Sequence, residues 1–170
     1  MWDEFEDDSV QALRVPYSGG ELSFRVVMPK GDYRAYEASL DAAKLSTVFA
    51  GLAPALVDVT MPPFELRSRR DLKPAFEALD VKLPFAPFEA DFSGIDGTRD
   101  LYVETLVHEA WIDVSKSGTR AAAATGARLS PAPSAPPQPK PIVIDRPFLF
   151  FVVDDATGAI VFMGRYTTKP

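Results

Sequence analysis

The sequence predicts a mixed α+β fold with mostly antiparallel strands and a few short helices. Apolar and polar residues alternate with a period of two from Leu106 to Ser115, which predicts a half-buried strand. Two apolar stretches separated by a glycine turn near the N-terminus predict a β-hairpin. Short segments with apolar residues at helical spacing, bounded by capping or breaking residues, predict the helices.

Length and composition narrow the class of protein. A chain of 170 residues with 46% hydrophobic residues is expected to fold as one domain with a real core. The absence of cysteine excludes a disulfide framework and a thiolate metal site, and we expect no metal or other cofactor. The net charge of −6, without a basic stripe, argues against binding to nucleic acid or to a lipid surface. We also expect no membrane span, because no apolar run reaches roughly 18 residues.

The N-terminal segment is acidic from Asp3 to Asp8. We expect a solvated, frayed terminus here, in preference to a metal site or a patch for a basic partner. The same acidity makes this stretch unlike a signal peptide, so no export signal is expected. The hairpin follows, with strands Val10 to Val15 and Leu22 to Met28 joined by the turn Tyr17 to Gly20.

Two helices are predicted next from residues that cap helices and residues that end them. Asp32 is placed to cap a helix from Tyr33 to Leu40, and a second helix is predicted from Asp41 to Leu52, where Gly51 and Pro54 end it.

Two strands, a third helix and a loop come next. The strands are predicted at Ala55 to Met61 and Phe64 to Ser68. The third helix is predicted from Asp71 to Leu79, with a proline tolerated in its first turn, and a proline-punctuated loop follows around Pro84.

A run of small residues lies between two strand-like segments. Gly118 to Thr125 contains four consecutive alanines, and Ser130 to Pro141 is too rich in proline for a helix or a central strand. The segment from Ile142 to Val152 is apolar enough for a strand buried on both faces, interrupted once by Pro147. Residues 118–141 are therefore predicted to form an exposed loop between two core strands.

The alanine run admits two interpretations. Alanine has the best helix propensity, so a helix is one of them. The flanking residues favour an extended segment that can join a sheet, because its small side chains alternate onto one side, where they could enter without clashes. On that side lie Thr119, Ala121, Ala123 and Thr125, while Arg120, Ala122, Ala124, Gly126 and Arg128 face outward.

These segments resemble the serpin family of protease inhibitors. Gly118-Thr119 with the alanine run resembles the reactive-loop hinge of that family, and Asp145 to Phe151 resembles its C-terminal signature. Further likenesses, in the family's order, lie at Val10 to Tyr17, Ala90 to Ile95, Val107 to Ala110 and Val161 to Arg165. The likeness spans nearly all of residues 1–170 and only the C-terminal half of a serpin. It implies a single serpin-like C-terminal portion, with the N-terminal half of the fold absent.

The resemblance implies an inhibitor that is not an enzyme. A serine protease would attack the loop as substrate, and the freed hinge would insert as a new strand before deacylation. The hinge residues would be Gly118, Thr119, Ala121, Ala123 and Thr125. The resemblance further implies an extracellular site of action.

The family's usual loop length places the scissile bond at Ala132-Pro133, which suits an elastase-like or subtilisin-like protease. A proline directly after the bond makes cleavage there unfavourable, so Leu129-Ser130, Ser134-Ala135 and the absence of any scissile bond stay open as alternatives.

His108 is the only histidine, so any Ser-His-Asp arrangement would need it. It shares its strand face with Leu106, Ala110 and Ile112, and we therefore expect a buried, hydrogen-bonded histidine and not a catalytic base. By resemblance, it lies where the main sheet opens to admit the loop, and its usual partner belongs to the absent half.

Several features depart from an inhibitory serpin. Lys116-Ser117 and Arg120 stand where acidic residues are common, and only one of the two strands that flank the insertion slot is expected in this chain. The unpaired sheet edge would allow self-association or pairing with the missing half. A non-inhibitory remnant that serves as substrate or structural domain is therefore one alternative. Another is a binding module that presents the proline-rich segment Pro136 to Lys140 to SH3-type domains.

Overall fold

The computed structural model describes residues 2–115 and 137–167, which belong to two compact units. One unit is formed by Met1–Pro62 and Ser115–Pro170, the other by Pro63–Val114. In chain order the strands are β1 Trp2–Glu6, β2 Val10–Pro16, β3 Leu22–Pro29, β4 Ala53–Ala55, β5 Val57–Thr60, β6 Phe64–Asp71, β7 Val107–Val114, β8 Lys140–Val143, β9 Phe148–Asp154 and β10 Ile160–Tyr166. The helices are α1 Tyr33–Ala38, α2 Ala42–Ala50, α3 Lys73–Ala78 and α4 Ser93–Asp96, with a 3-10 turn at Leu83–Phe85.

The first unit is built on a six-stranded antiparallel sheet in the order β10-β9-β3-β2-β1-β4. One sheet face carries α1 and α2 and forms a core with them, because alternate strand residues point to that face. Its buried members are Val10, Ala12, Val27, Tyr36, Val48, Leu149, Phe151 and Val153. The opposite face is also buried, through Leu13, Phe24, Val26, Met28, Phe148 and Phe150. The predicted α+β class with mostly antiparallel strands is confirmed.

The acidic N-terminus is ordered, and the expectation of a frayed segment was wrong. Trp2–Glu6 forms β1, which pairs with β2 and with β4. Phe5 packs against the helix-covered core. The acidic side chains of β1 have cationic neighbours, since Asp3 contacts Arg14 and Glu6 contacts Lys30. These distant partners offset the charge that made the segment look like a solvated tail.

The predicted caps hold, while both helices are shorter than expected. The Asp32 carboxylate accepts a hydrogen bond from the Ala35 amide at 2.6 Å, and Asp41 accepts one from Lys44 at 2.7 Å. Helix α1 ends at Ala38 and α2 at Ala50, where Gly51 is the C-cap. None of the helices in the described ranges is long and apolar enough to span a membrane.

Two predicted strands are each divided between different sheets. The stretch predicted as Ala55 to Met61 contains the last residue of β4 and all of β5, and the stretch predicted as Ile142 to Val152 contains parts of β8 and β9. β5 and β8 pair in parallel as a separate two-stranded sheet. The four residues 144–147 form a bend that separates β8 from β9, and Pro147, just before β9, supplies no amide donor to a ladder. The last two residues of the predicted loop, Lys140 and Pro141, therefore belong to β8.

The second unit contains the antiparallel pair β6–β7. In sequence, α3, the 3-10 turn and α4 lie between these two strands. β6 extends to Asp71, three residues beyond its predicted end. Asp71 also accepts a hydrogen bond from the Lys73 amide at the start of α3. The predicted proline loop contains the 3-10 turn, whose Phe85 meets Phe76 of α3 edge-on at 6.4 Å.

An ionic cluster around Asp155 joins three parts of the first unit. Its carboxylate accepts hydrogen bonds from Arg14 at 2.8 Å, Arg25 at 2.8 Å and Ser23 at 2.7 Å. Arg25 also lies over the Phe49 ring of α2, 4.5 Å from its centroid. Desolvation by partial burial raises the pKa of Asp155, but the hydrogen bonds from Arg14, Arg25 and Ser23 outweigh it and lower the pKa to about 2.

We predict that Asp155→Asn destabilises the fold by about 2 kcal/mol at pH 7, because the carboxylate is favoured in the folded state. The lowered folded-state pKa means that this stabilisation is complete above about pH 5 and is lost as the pH falls toward about 2. Urea unfolding of both proteins across this range should therefore give stabilities that converge at low pH. Asp145→Asn is the control, since Asp145 is 67% exposed, and it should change stability by less than about 0.5 kcal/mol. A constant difference between wild type and Asp155→Asn at every pH would contradict the assignment.

Candidate functional site

The candidate site is the predicted loop and the two strands that carry its ends. The hinge residues Gly118, Thr119, Ala121, Ala123 and Thr125 lie outside the described residues. The candidate scissile bonds also lie outside the described residues, namely Ala132-Pro133, Leu129-Ser130 and Ser134-Ala135. The described chain enters the loop from β7 and leaves it into β8.

β7 is held by β6 along its whole length. The register runs from Val107 opposite Asp71 to Val114 opposite Phe64. Within residues 2–115 and 137–167, β7 pairs with β6 alone, so its other edge carries backbone groups that no described strand satisfies. A strand edge of this kind can accept an added strand. In sequence, β7 ends at Val114, four residues before Gly118.

The outer face of the β6–β7 pair holds a small polar and aromatic cluster. The Trp111 indole Nε1 donates to the Glu65 carboxylate at 2.9 Å, and Arg67 Nε donates to the same oxygen at 3.2 Å. The Arg67 guanidinium lies over the Trp111 ring, 5.5 Å from its centroid. Hydrogen bonds from Trp111 and Arg67 lower the pKa of Glu65. These cross-strand contacts fix β7 against β6 near the start of the loop.

His108 is exposed, and the expectation of a buried, hydrogen-bonded histidine was wrong. It shares a face with Ala110 and Ile112, as predicted, but those residues are only half-buried. Its cross-strand neighbour is Arg70, which is itself exposed. Among the described residues, the His108 ring has no hydrogen-bond partner, so nothing there prepares it as a base.

The other end of the loop is fixed at Lys140, the first residue of β8. Its amide donates to the Leu56 carbonyl at 2.9 Å. Its ammonium lies 2.7 Å from Glu4 Oε1 and 2.5 Å from Glu6 Oε2, both on β1. Glu4 and Glu6 raise the pKa of Lys140, while Lys140 and Lys30 lower the pKa of Glu6 to about 2. The side chain that ends the loop is thus paired with two carboxylates.

The sequence did not reveal this ionic cluster. Lys140 looked like the end of a proline-rich loop, and Glu4 and Glu6 looked like part of an acidic tail. The available signal was the i, i+2 spacing of the two glutamates, which places them on one face if the segment is a strand. In the part of the chain that the structure describes, no three His, Asp or Glu side chains are grouped as metal ligands.

Comparisons with known proteins identify relatives over nearly the whole chain. A family model described as Serpin (serine protease inhibitor) matches residues 1–169. The chain is 36% identical over 163 residues to an uncharacterized serpin-like protein of Thermococcus kodakarensis, covering 95% of this chain and 38% of that protein. It is 32% identical over 167 residues to leukocyte elastase inhibitor A of Mus musculus, covering 94% and 44%.

A solved structure shows the same fold. The chain is similar to native protease nexin-1 crystallised with heparin, with a TM-score of 0.75, 24% identity, and coverage of 99% of this chain and 46% of that one. The chain thus spans less than half the length of the curated relatives named here.

We predict that Trp111→Ala costs about 1 kcal/mol of stability, because it removes the cross-strand hydrogen bond to Glu65 and the contact with Arg67. His108→Ala on the same strand should change stability by less than about 0.5 kcal/mol, because its side chain is exposed. Urea unfolding of the 170-residue chain measures both changes. A loss at His108 as large as that at Trp111 would show that the histidine makes a contact that its exposure does not indicate.

Proposed function

Because this chain belongs to the serpin family, we propose that it inhibits a serine protease by the suicide-substrate mechanism, with residues 118–141 as the bait loop. Serpins are protease inhibitors and not catalysts, and the loop would act once, as a substrate that is not released. The observation that best supports the proposal concerns β7, which leads in sequence toward the hinge and has one edge that no strand within residues 2–115 and 137–167 covers. Several relatives are named for protease inhibition, among them leukocyte elastase inhibitor A.

In this mechanism the protease attacks the loop and forms an acyl-enzyme, and the freed hinge then adds to the edge of β7 as a new strand. About ten new backbone hydrogen bonds at roughly 1 kcal/mol each, together with buried methyl groups, would exceed the cost of ordering a segment already tethered at one end. The small side chains at Thr119, Ala121 and Ala123 allow the inner side of that strand to pack on a core.

The outer face of β7 suits the charges of the hinge. Glu109 and Asp113 are exposed on this face. Arg120 and Arg128 alternate onto the outward side of an inserted strand. Carboxylates beside these arginines would favour insertion through cross-strand pairing. The basic substitution at Arg120 is therefore compatible with inhibition in this chain.

The two alternatives rest on other features. Lys116-Ser117, ahead of the hinge, favours a non-inhibitory remnant that is cut as a substrate. The binding-module alternative has less support, since the ammonium of Lys140 already pairs with Glu4 and Glu6. An extracellular site of action, and self-association through a sheet edge, stay predictions from the resemblance.

We predict that an elastase-like protease cuts the chain between Arg128 and Ala135 and that part of the protein is recovered as an SDS-stable complex with it. Gel electrophoresis and mass spectrometry of the reaction measure both outcomes. Cleavage without any complex would favour the non-inhibitory remnant. An intact loop after prolonged digestion would contradict the bait assignment.

Ala123→Glu should abolish complex formation while leaving cleavage intact, because a carboxylate on the inner side of the inserted strand would be buried without a partner. Ala122→Glu is the matched control, since its side chain faces outward and should retain most complex formation. We expect the complex yield of the two variants to differ by roughly tenfold or more. Equal yields would argue against insertion of this segment as a strand.

A further inference from the structure

β8, the strand that follows the bait loop, has few backbone hydrogen-bond partners. It is four residues long and, in the described ranges, pairs only with β5, in parallel. Pro141 contributes no amide donor to that pairing. Hydrogen bonds from Lys140 N to Leu56 O and from Ile144 N to Thr60 O, at 2.9 and 2.8 Å, border it. Buried Ile142 and Ile144 supply its apolar contacts.

The side chain of Lys140 adds a second attachment, to a different sheet. Its ammonium bridges Glu4 and Glu6, which lie two residues apart on β1 and so point to the same face. Glu4 Oε1 also accepts a hydrogen bond from Gln11 Nε2 at 2.8 Å, and Glu6 Oε1 lies 2.8 Å from Lys30 Nζ. Two ammonium groups and two carboxylates thus form one cluster with no net charge, and Gln11 donates a hydrogen bond to one of the carboxylates.

This cluster differs from a simple surface ion pair. The Glu4 side chain is only 10% exposed, although the Lys140 side chain is 48% exposed, whereas a fully exposed pair contributes little because water screens it. Among the described residues, Lys140 is the only cation that contacts Glu4. Removing the Lys140 charge would leave a largely buried carboxylate with an amide as its remaining partner, which is unfavourable. The two strands are therefore energetically coupled through this side chain.

We propose that Lys140 is a positioning residue for the bait loop, and that its pairing with Glu4 and Glu6 holds β8 on β1 and so fixes the C-terminal end of the loop. The inference rests on the proposed inhibitory function for its biological meaning. With this end fixed, movement after cleavage would be confined to the hinge side. The rest of the cut piece is held by β9 and β10 in the six-stranded sheet.

Lys140→Met tests the proposal, because methionine keeps an apolar stem and removes the charge. Lys30→Met is the matched control, since Lys30 pairs with Glu6 in the same cluster but lies on β3, outside the loop. Glu4→Gln removes the opposite charge with little change of shape. Amide hydrogen–deuterium exchange of the peptide spanning residues 137–144, and the rate of protease cleavage between Arg128 and Ala135, are measured in the uncleaved full chain.

The proposal expects exchange in this peptide to rise about tenfold in Lys140→Met and in Glu4→Gln, and less than about twofold in Lys30→Met. Loop cleavage should accelerate severalfold in the first two variants alone, because a loosened loop end is a better protease substrate. Unchanged exchange, an equal rise in Lys30→Met, or faster exchange with unaltered cleavage would each overturn it. Should Lys140→Met fail to fold, Glu4→Gln decides by the same measurements.

The same experiments separate this proposal from the inhibitory function. A wild-type chain that is cut but forms no SDS-stable complex favours the non-inhibitory remnant over inhibition, while the exchange and cleavage comparisons still decide the role of Lys140. A wild-type chain that forms the complex, with unchanged exchange in Lys140→Met, overturns the positioning role and leaves inhibition intact.

Discussion

Burial of β9 on both faces is the constraint on which the first unit depends. Phe148 and Val153 are completely buried and Phe150 is 1% exposed, and the strand pairs with β3 on one edge and β10 on the other. Leu149, Phe151 and Val153 complete the helix-covered core, where Phe49 of α2 meets Phe151 edge-on at 5.5 Å. On the opposite face the Phe150 ring stacks with Phe24 and Phe162. A strand so enclosed cannot shift register by one residue without moving aromatic side chains to the wrong face.

Elements determined by local chemistry could be predicted from the sequence. The turn at Gly19 and Gly20 uses positive φ angles that favour glycine, so the β2–β3 hairpin was recognisable without knowledge of any contact. Asp32 and Asp41 cap their helices through amides three residues away, which is equally local. The strand alternation in β7 gave the correct two faces.

Features set by distant partners could not be predicted in the same way. β1 is stabilised by pairing with β2 and β4 and by cations elsewhere in the chain, none of which is visible in the acidic segment itself. The apolar run after the loop did not show that β8 and β9 join different sheets, because hydrophobicity does not specify a strand's neighbour. For His108, periodicity gave the correct face but not how much of that face is covered. The carboxylates that bind Lys140 lie more than 130 residues away in sequence, so the candidate site was predicted only as a loop between strands.

The two ends of the loop are held by different kinds of contact, and this difference bears on the mechanism. On the hinge side, β7 is fixed to β6 by a regular ladder, and its second edge presents backbone groups without a strand partner in the described residues. On the other side, a short strand with few ladder bonds is secured by a side chain, and a bend of four residues joins it to β9. A segment that adds to an edge after cleavage needs backbone donors and acceptors where it arrives, and needs none where it departs. In the proposed mechanism the far end would instead need contacts that survive the cut, and the side-chain pairing of Lys140 and the aromatic burial of β9 are such contacts. In the described residues, unpaired backbone groups thus lie on the strand that leads to the proposed hinge, whereas side-chain contacts hold the strand at the other end.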